Sequence, residues 1–208
     1  MIGFIVGFTP IAVAGAFALW TRVDRRPEII NLLDASPTSK RHKRSKGFDA
    51  VVLHQTGFSR GNDPTRYRKV TAHFVILPDG KIIQLHPLSA KLWAADGFNN
   101  RSVSIEFAGN FKAATGKWWS PDKYGADEPT PAQIQAGRAL LRMLKSIGIR
   151  HVFAHRQSSA KRGNDPGPQI WASVGEWAIR SLELDNGGPN YAIGGGSPIP
   201  DQWRRPTP

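Results

Sequence analysis

The stretch Phe48–His54 reads FDAVVLH, a short apolar run of strand-forming residues that ends on a histidine, and the turn-forming TGFSRGNDP (Thr56–Pro64) closes it off. Working outward, four similar runs follow: TAHFVIL (Thr71–Leu77), KIIQLH (Lys81–His86), VSIEF (Val103–Phe107) and RHVFA (Arg150–Ala154). Pro78-Asp79-Gly80 predicts a hairpin between the second and third of these five strands. Thr130 as N-cap, Pro131 at the first helical position and Gln133 three residues after the cap predict a capped helix. Its apolar positions are Ile134, Leu140, Leu141, Leu144 and Ile147, and Gly148 stops it. A second helix is expected from Pro168 to about Leu184, with Ile170, Trp171, Val174, Trp177 and Ile179 inward. Strands interspersed with helices predict an α/β fold, a single mixed β-sheet flanked by helices.

Outside this body the composition changes. Residues 1–20, MIGFIVGFTPIAVAGAFALW, carry no charge, and TRVDRR follows at once. As a helix, residues 2–20 would extend about 28 Å, close to the roughly 30 Å of a bilayer core, while Ala14-Gly15-Ala16 and Ala16-Phe17-Ala18 offer small-x-small cleavage patterns. Residues 1–21 are therefore expected to be a signal peptide or membrane anchor, which places the protein in the cell envelope. A basic linker, 22–47, ends in SKRHKRSK (Ser39–Lys46), read as solvated or as an electrostatic tether. The domain is expected over 48–185, and a Gly/Pro-rich tail, flexible or strapped to the surface, over 186–208. RGNDP occurs at Arg60–Pro64 and again at Arg162–Pro166 with unlike flanks, which is turn chemistry used twice.

The 208 residues hold 28 Lys and Arg against 16 Asp and Glu, a net charge of +12, and no cysteine. The charge fits nucleic acid, an anionic membrane or an acidic wall polymer and does not choose among them. The missing cysteines exclude disulfide scaffolds, thiol nucleophiles, iron–sulfur clusters and Cys-built zinc sites. Any metal must be held by carboxylates and the six histidines.

Two histidines close strands, His54 after DAVVL and His155 after RHVFA, and Asp165 follows in the turn RGNDPGP. Side chains at strand ends can converge over a sheet edge. Two His and one Asp make a three-ligand set with a fourth tetrahedral position open to water, the pattern of catalytic zinc. Spacing alone leaves each histidine equally readable as a packing residue.

The blocks VVLHQTG (Val51–Gly57), AHFVILPDGKIIQL (Ala72–Leu85), NRSVSIEFAGN (Asn100–Asn110), TPAQIQAGRALL (Thr130–Leu141) and FAHRQSSAKRGNDPGPQIW (Phe153–Trp171) resemble, in order and spacing, the zinc-dependent N-acetylmuramoyl-L-alanine amidases. That family shares its fold with peptidoglycan recognition proteins and amidase-type phage lysozymes. The resemblance implies that His54, His155 and Asp165 bind Zn2+, and that the bond cut is the amide between the lactyl group of N-acetylmuramic acid and L-alanine. It also implies that Glu106, in Ser102-Val103-Ser104-Ile105-Glu106, acts beside the metal. A strand-borne glutamate there can move a proton from water to the leaving amine; the plainer alternative is a surface salt-bridge partner.

Three positions depart from the family pattern. Many Asp-type relatives carry Lys where this chain has Gly163, which leaves Lys161 or Arg162 as the catalytic cation. Trp93-Ala94 replaces a Trp-His pair. Ala72 stands where phage enzymes often have a catalytic Tyr, consistent with Glu106 in that role. His73, Trp93, Asn100, Arg101 and Trp118 are the expected substrate contacts, with packing roles the alternative for His73 and for the Trp118-Trp119 pair. His42, His86 and His151 are expected at the surface. The expected partner is peptidoglycan or a muropeptide, with no nucleic acid and with membrane association through residues 2–20. The rival functions are a non-catalytic peptidoglycan-binding module and a nucleic-acid binder using SKRHKRSK.

Overall fold

The structure, a computed structural model, describes residues 27–205. The expected leader or anchor at 1–21 lies outside the described residues, and among those residues no helix is long and apolar enough to cross a membrane.

Among the described residues there are eight strands: β1 (Ile29–Asn31), β2 (His42–Lys43), β3 (Ala50–Gln55), β4 (Phe74–Ile76), β5 (Ile82–Gln84), β6 (Ala90–Lys91), β7 (Ser102–Phe107) and β8 (His151–Ala154). Six form one sheet in the order β1-β5-β4-β7-β3-β8, and β2 pairs with β6. Within the six, only β4 and β5 run antiparallel, joined through the Pro78-Asp79-Gly80 turn. The sheet is mixed, as expected.

The helices are α1 (Pro121–Tyr124), α2 (Pro131–Ser146), α3 (Pro168–Ile170) and α4 (Glu176–Leu182). The α2 start is a capping box: Gln133 N donates to Thr130 Oγ1 at 3.0 Å and Thr130 N to Gln133 Oε1 at 3.1 Å, worth ~1 kcal/mol. Between α3 and α4 the helical path widens into a π-turn over Trp171–Gly175, where the Trp171 ring folds back on Gly175 so closely that a Cβ would lie 2.7 Å from it.

Alternation decides what each strand offers to which side. In β7, Val103, Ile105 and Phe107 join Leu140, Leu141, Leu144 and Trp171 in the main core, so Ser102, Ser104 and Glu106 take the other face. The central β3 is apolar on both faces, with Val51 and Leu53 toward the helices and Ala50 and Val52 against Phe98 and Phe153.

The flanks are more ordered than composition predicts. From residue 27 the stretch read as a linker belongs to the fold, since β1 lies parallel to β5 at the sheet edge. Two of its basic residues are staples: Arg44 donates to the carbonyls of Ala90 at 2.7 Å and Ser102 at 2.9 Å, and Lys40 donates to Lys69 O and Thr71 Oγ1. A guanidinium with five donors can satisfy several carbonyls at once, which a charge count does not register. The tail is a strap: Ile199 and Trp203 are buried in the main core, and Ser197 N donates to Arg156 O at 2.7 Å.

Candidate metal centre and groove

Parallel pairing of Leu53 with Ala154 delivers the next residue of each strand, His54 and His155, side by side over the sheet edge. Their rings meet edge to face at 4.6 Å, with the two Nδ1 atoms 3.0 Å apart. Asp165 arrives on the loop after β8. Its Oδ1 accepts from Gln55 N at 2.8 Å, which leaves Oδ2 at 3.0 Å from His155 Nδ1 and 3.6 Å from His54 Nδ1. The loop itself is pinned, because Gln55 Nε2 donates to Asn164 O and Gln55 Oε1 accepts from Phe111 N, both at 2.7 Å. The Asp165-Pro166 peptide is cis.

Three ligand atoms thus converge with edges of 3.0, 3.0 and 3.6 Å. A tetrahedral ion with bonds of about 2.0–2.1 Å to N and O needs edges of about 3.3 Å. All three residues are buried, and together they form a group that can hold a metal ion. Protonation fits as well. Burial pushes the His54 imidazole down, toward the neutral form that has a lone pair to give. Burial also opposes charge on Asp165, but the imidazoles of His155 and His54 outweigh it and hold the carboxyl well below the usual carboxylate range.

Glu106 is the register partner of His54 on the neighbouring strand and shares its face. Its Oε2 is buried with no hydrogen-bond partner among the described residues. Burial first, then the charge of Asp165, raises its pKa well above the ordinary 4.5. This is a carboxyl poised to hold or release a proton next to the three ligands.

Two cavities meet at Asp165. One, of about 430 Å³, is lined by the three ligands with Glu106, Arg60, Lys69, Trp93 and Arg162. The other, of about 370 Å³, is lined by Gly57, Asn110, Trp119, Lys161 and Arg162. Arg162 borders both. Trp93 is 63 % exposed with Lys91 Nζ 4.3 Å above its ring.

The remaining expected contacts lie elsewhere. His73 is fully buried; its Nδ1 accepts from Ser104 N and its Nε2 donates to Ala90 O, each at 3.0 Å. Burial, against that bond to Ala90, lowers its pKa to about 3, and both ring nitrogens are committed to the fold. Asn100 bonds Ser45 and Arg101 clamps Asp49, at the end of β7 opposite Glu106, about 16 Å away along the strand. Trp118 donates to Asp127 O at 3.1 Å, while its neighbour Trp119, stacked on Tyr124 at 4.3 Å, is the one that faces the second cavity. His86, expected at the surface, is buried and accepts from Arg41 Nε at 3.2 Å.

Arg60, Lys69 and Asp96 were not singled out from sequence. Asp96 Oδ2 stands 3.2 Å from His155 Nε2 across 59 residues of sequence, a separation that leaves no local pattern to find.

Residues 44–168 match the protein family described as N-acetylmuramoyl-L-alanine amidase. No curated protein sequence matches the chain. Among solved structures, similarity extends to the endolysin N-acetylmuramoyl-L-alanine amidase LysCS of Clostridium intestinale, with a TM-score of 0.54 and 19% identity over 77% of this chain and 99% of that one. Drosophila PGRP-LB gives a TM-score of 0.57 and 15% identity over 78% and 98%. Peptidoglycan recognition protein-LE, solved in complex with tracheal cytotoxin, gives 0.55 and 17% over 76% and 96%. These likenesses are of fold.

Proposed function

Since the chain belongs to the N-acetylmuramoyl-L-alanine amidase family, we propose that it is a zinc-dependent hydrolase. The bond cut is the amide between the lactyl group of N-acetylmuramic acid and the L-alanine of the stem peptide. The observation that carries this reading is the set of three convergent side-chain atoms with Glu106 in register beside them, all lining one cavity of about 430 Å³. A recognition protein of similar fold binds a monomeric diaminopimelic acid-type peptidoglycan, which supports a muropeptide as occupant of the groove. A peptidoglycan substrate would put this work in the cell envelope, with residues 2–20 as leader or anchor.

His54, His155 and Asp165 would hold the ion. Bound there, zinc would supply a Lewis acid for the scissile carbonyl and an acidified water. The chain's own residues do the rest. Glu106 takes a proton from the attacking water onto a carboxylate oxygen and returns it to the departing alanine nitrogen; the C–N bond breaks, the water oxygen stays on the lactyl carbon, and the new carboxyl's remaining proton passes to the amine, giving a lactyl carboxylate and an alanine ammonium. Arg162, bordering both cavities, balances the negative charge that develops on the carbonyl oxygen. Gln55 N keeps Asp165 aimed throughout.

Two variants test the assignment. Glu106→Ala should retain zinc by elemental analysis and lose roughly 10²–10⁴-fold in turnover of a muramoyl-peptide, whereas His155→Ala should lose the metal. Wild-type turnover from Glu106→Ala would remove its proton-transfer role.

A further inference from the structure

A carboxylate stands behind one of the two metal-facing imidazoles and not behind the other. His155 presents Nδ1 to Asp165 and turns Nε2 outward, to Asp96 Oδ2 at 3.2 Å. His54 presents Nδ1 in the same way, yet its Nε2 is buried and has no hydrogen-bond partner among the described residues.

Asp96 is held in place against its own backbone preference. Its φ is +44°, in the left-handed region that L-residues avoid. Such strain costs on the order of 1–3 kcal/mol and persists only where the surroundings over-determine it. Here they do. Asn99 Oδ1 accepts from Ala94 N at 2.9 Å and Ala95 N at 2.7 Å, and Ser158 Oγ donates to Ala95 O at 3.0 Å. On the other side Ile193 of the C-terminal strap packs so tightly that a Cβ on Gly97 would lie 2.8 Å from it. The turn is clamped both to the residues that follow His155 and to the strap.

We propose that Asp96 is a positioning residue for the metal centre. Its carboxylate accepts the Nε2 proton of His155, which fixes the tautomer whose Nδ1 lone pair is free for a metal and holds the ring aimed at the point it shares with His54 and Asp165. The inference rests on reading the three ligands as a metal site. When Nδ1 binds a metal, the ring proton must sit on Nε2. A charged acceptor there stabilises that state and strengthens the ligand, and outer carboxylates of this kind are worth about 10–100-fold in metal affinity. His54 has no such partner among the described residues, so the centre's hold on metal depends unequally on its two imidazoles.

The test is zinc affinity of the full chain, stripped of metal and titrated against a chromophoric chelator, for wild type, Asp96→Gly, Asp96→Ala and Asp96→Asn. Asp96→Gly is decisive because it removes the carboxylate and at the same time relieves the positive-φ strain. A purely backbone role predicts wild-type or tighter binding from it. The positioning role predicts roughly 10–100-fold weaker binding for Gly and Ala, with Asn, which keeps an acceptor oxygen and tolerates this backbone, in between. Ring 15N spectra of the zinc-loaded protein should show the His155 proton on Nε2 exchanging faster with solvent in Asp96→Gly. Wild-type zinc affinity in Asp96→Gly overturns the inference alone. A wild-type chain that takes up no zinc overturns the metal centre and this inference together.

Discussion

Arg101 donates from Nε to Asp49 Oδ1 at 2.8 Å and from Nη2 to Asp49 Oδ2 at 2.6 Å, so this arginine is occupied at the far end of the sheet from Glu106. The hydrogen bond from Arg101, then its charge and that of His151, holds the Asp49 carboxyl below its ordinary 3.8 against a smaller opposing effect of burial. A depressed carboxylate contributes stability above its unfolded pKa, and that stability is lost as pH falls through the folded one. Arg101→Gln should therefore destabilise the protein at neutral pH by about 0.2–1 kcal/mol, the range of a half-exposed, solvent-screened pair. Denaturant unfolding at a series of pH values should show the gap from wild type closing as pH drops below 3.8. KM for a muramoyl-peptide should stay at its wild-type value; a large rise would return Arg101 to the groove. The sequence placed Arg101 and His73 by motif neighbourhood, and their actual partners, Asp49 and Ala90, lie 52 and 17 residues away.

At the scale of elements, α2 shows packing overruling propensity. Gly137 sits in mid-helix, where Ala is favoured by about 1 kcal/mol. Yet a Cβ there would lie 2.8 Å from the Phe107 ring and 3.3 Å from Val174, and Phe107 is fully buried. Overpacking of this kind costs about 1–3 kcal/mol and outweighs the propensity gain. Gly137→Ala should lower the thermal midpoint, and a raised midpoint would mean that the ring has room to move. The elements most legible in sequence are those whose signal is local: the Thr130–Gln133 capping box, the Pro78-Asp79-Gly80 hairpin, and the alternation that sends Glu106 away from Ile105 and Phe107. The basic stretch Ser39–Lys46 and the tail carry no local signal. Arg44 is organised by carbonyls at Ala90 and Ser102, and Trp203 by a core assembled from the rest of the chain.

Over the whole molecule, the parallel core of the sheet brings His54, Glu106 and His155 to one edge from three strands, and the loop after β8 adds Asp165. The convergence of His54, His155 and Asp165 was legible because histidines ended two predicted strands and matched ordered motif blocks. The groove walls were legible only in part: Trp93, Lys161, Arg162 and the Trp118-Trp119 pair stand out in the sequence, whereas Arg60 and Lys69 join them only in three dimensions. Part of the +12 charge is tied to the fold, in the partly buried staples from Lys40 and Arg44, and part lines the cavity at Arg60, Lys69 and Arg162. The most direct measurement is mass spectrometry of the products after the zinc-loaded chain meets purified peptidoglycan. Glycan strands bearing free lactyl carboxylates and peptides with a free N-terminal alanine are expected, abolished by chelation and restored by zinc. Zinc-loaded protein that binds peptidoglycan and releases no such peptides would contradict the amidase reading.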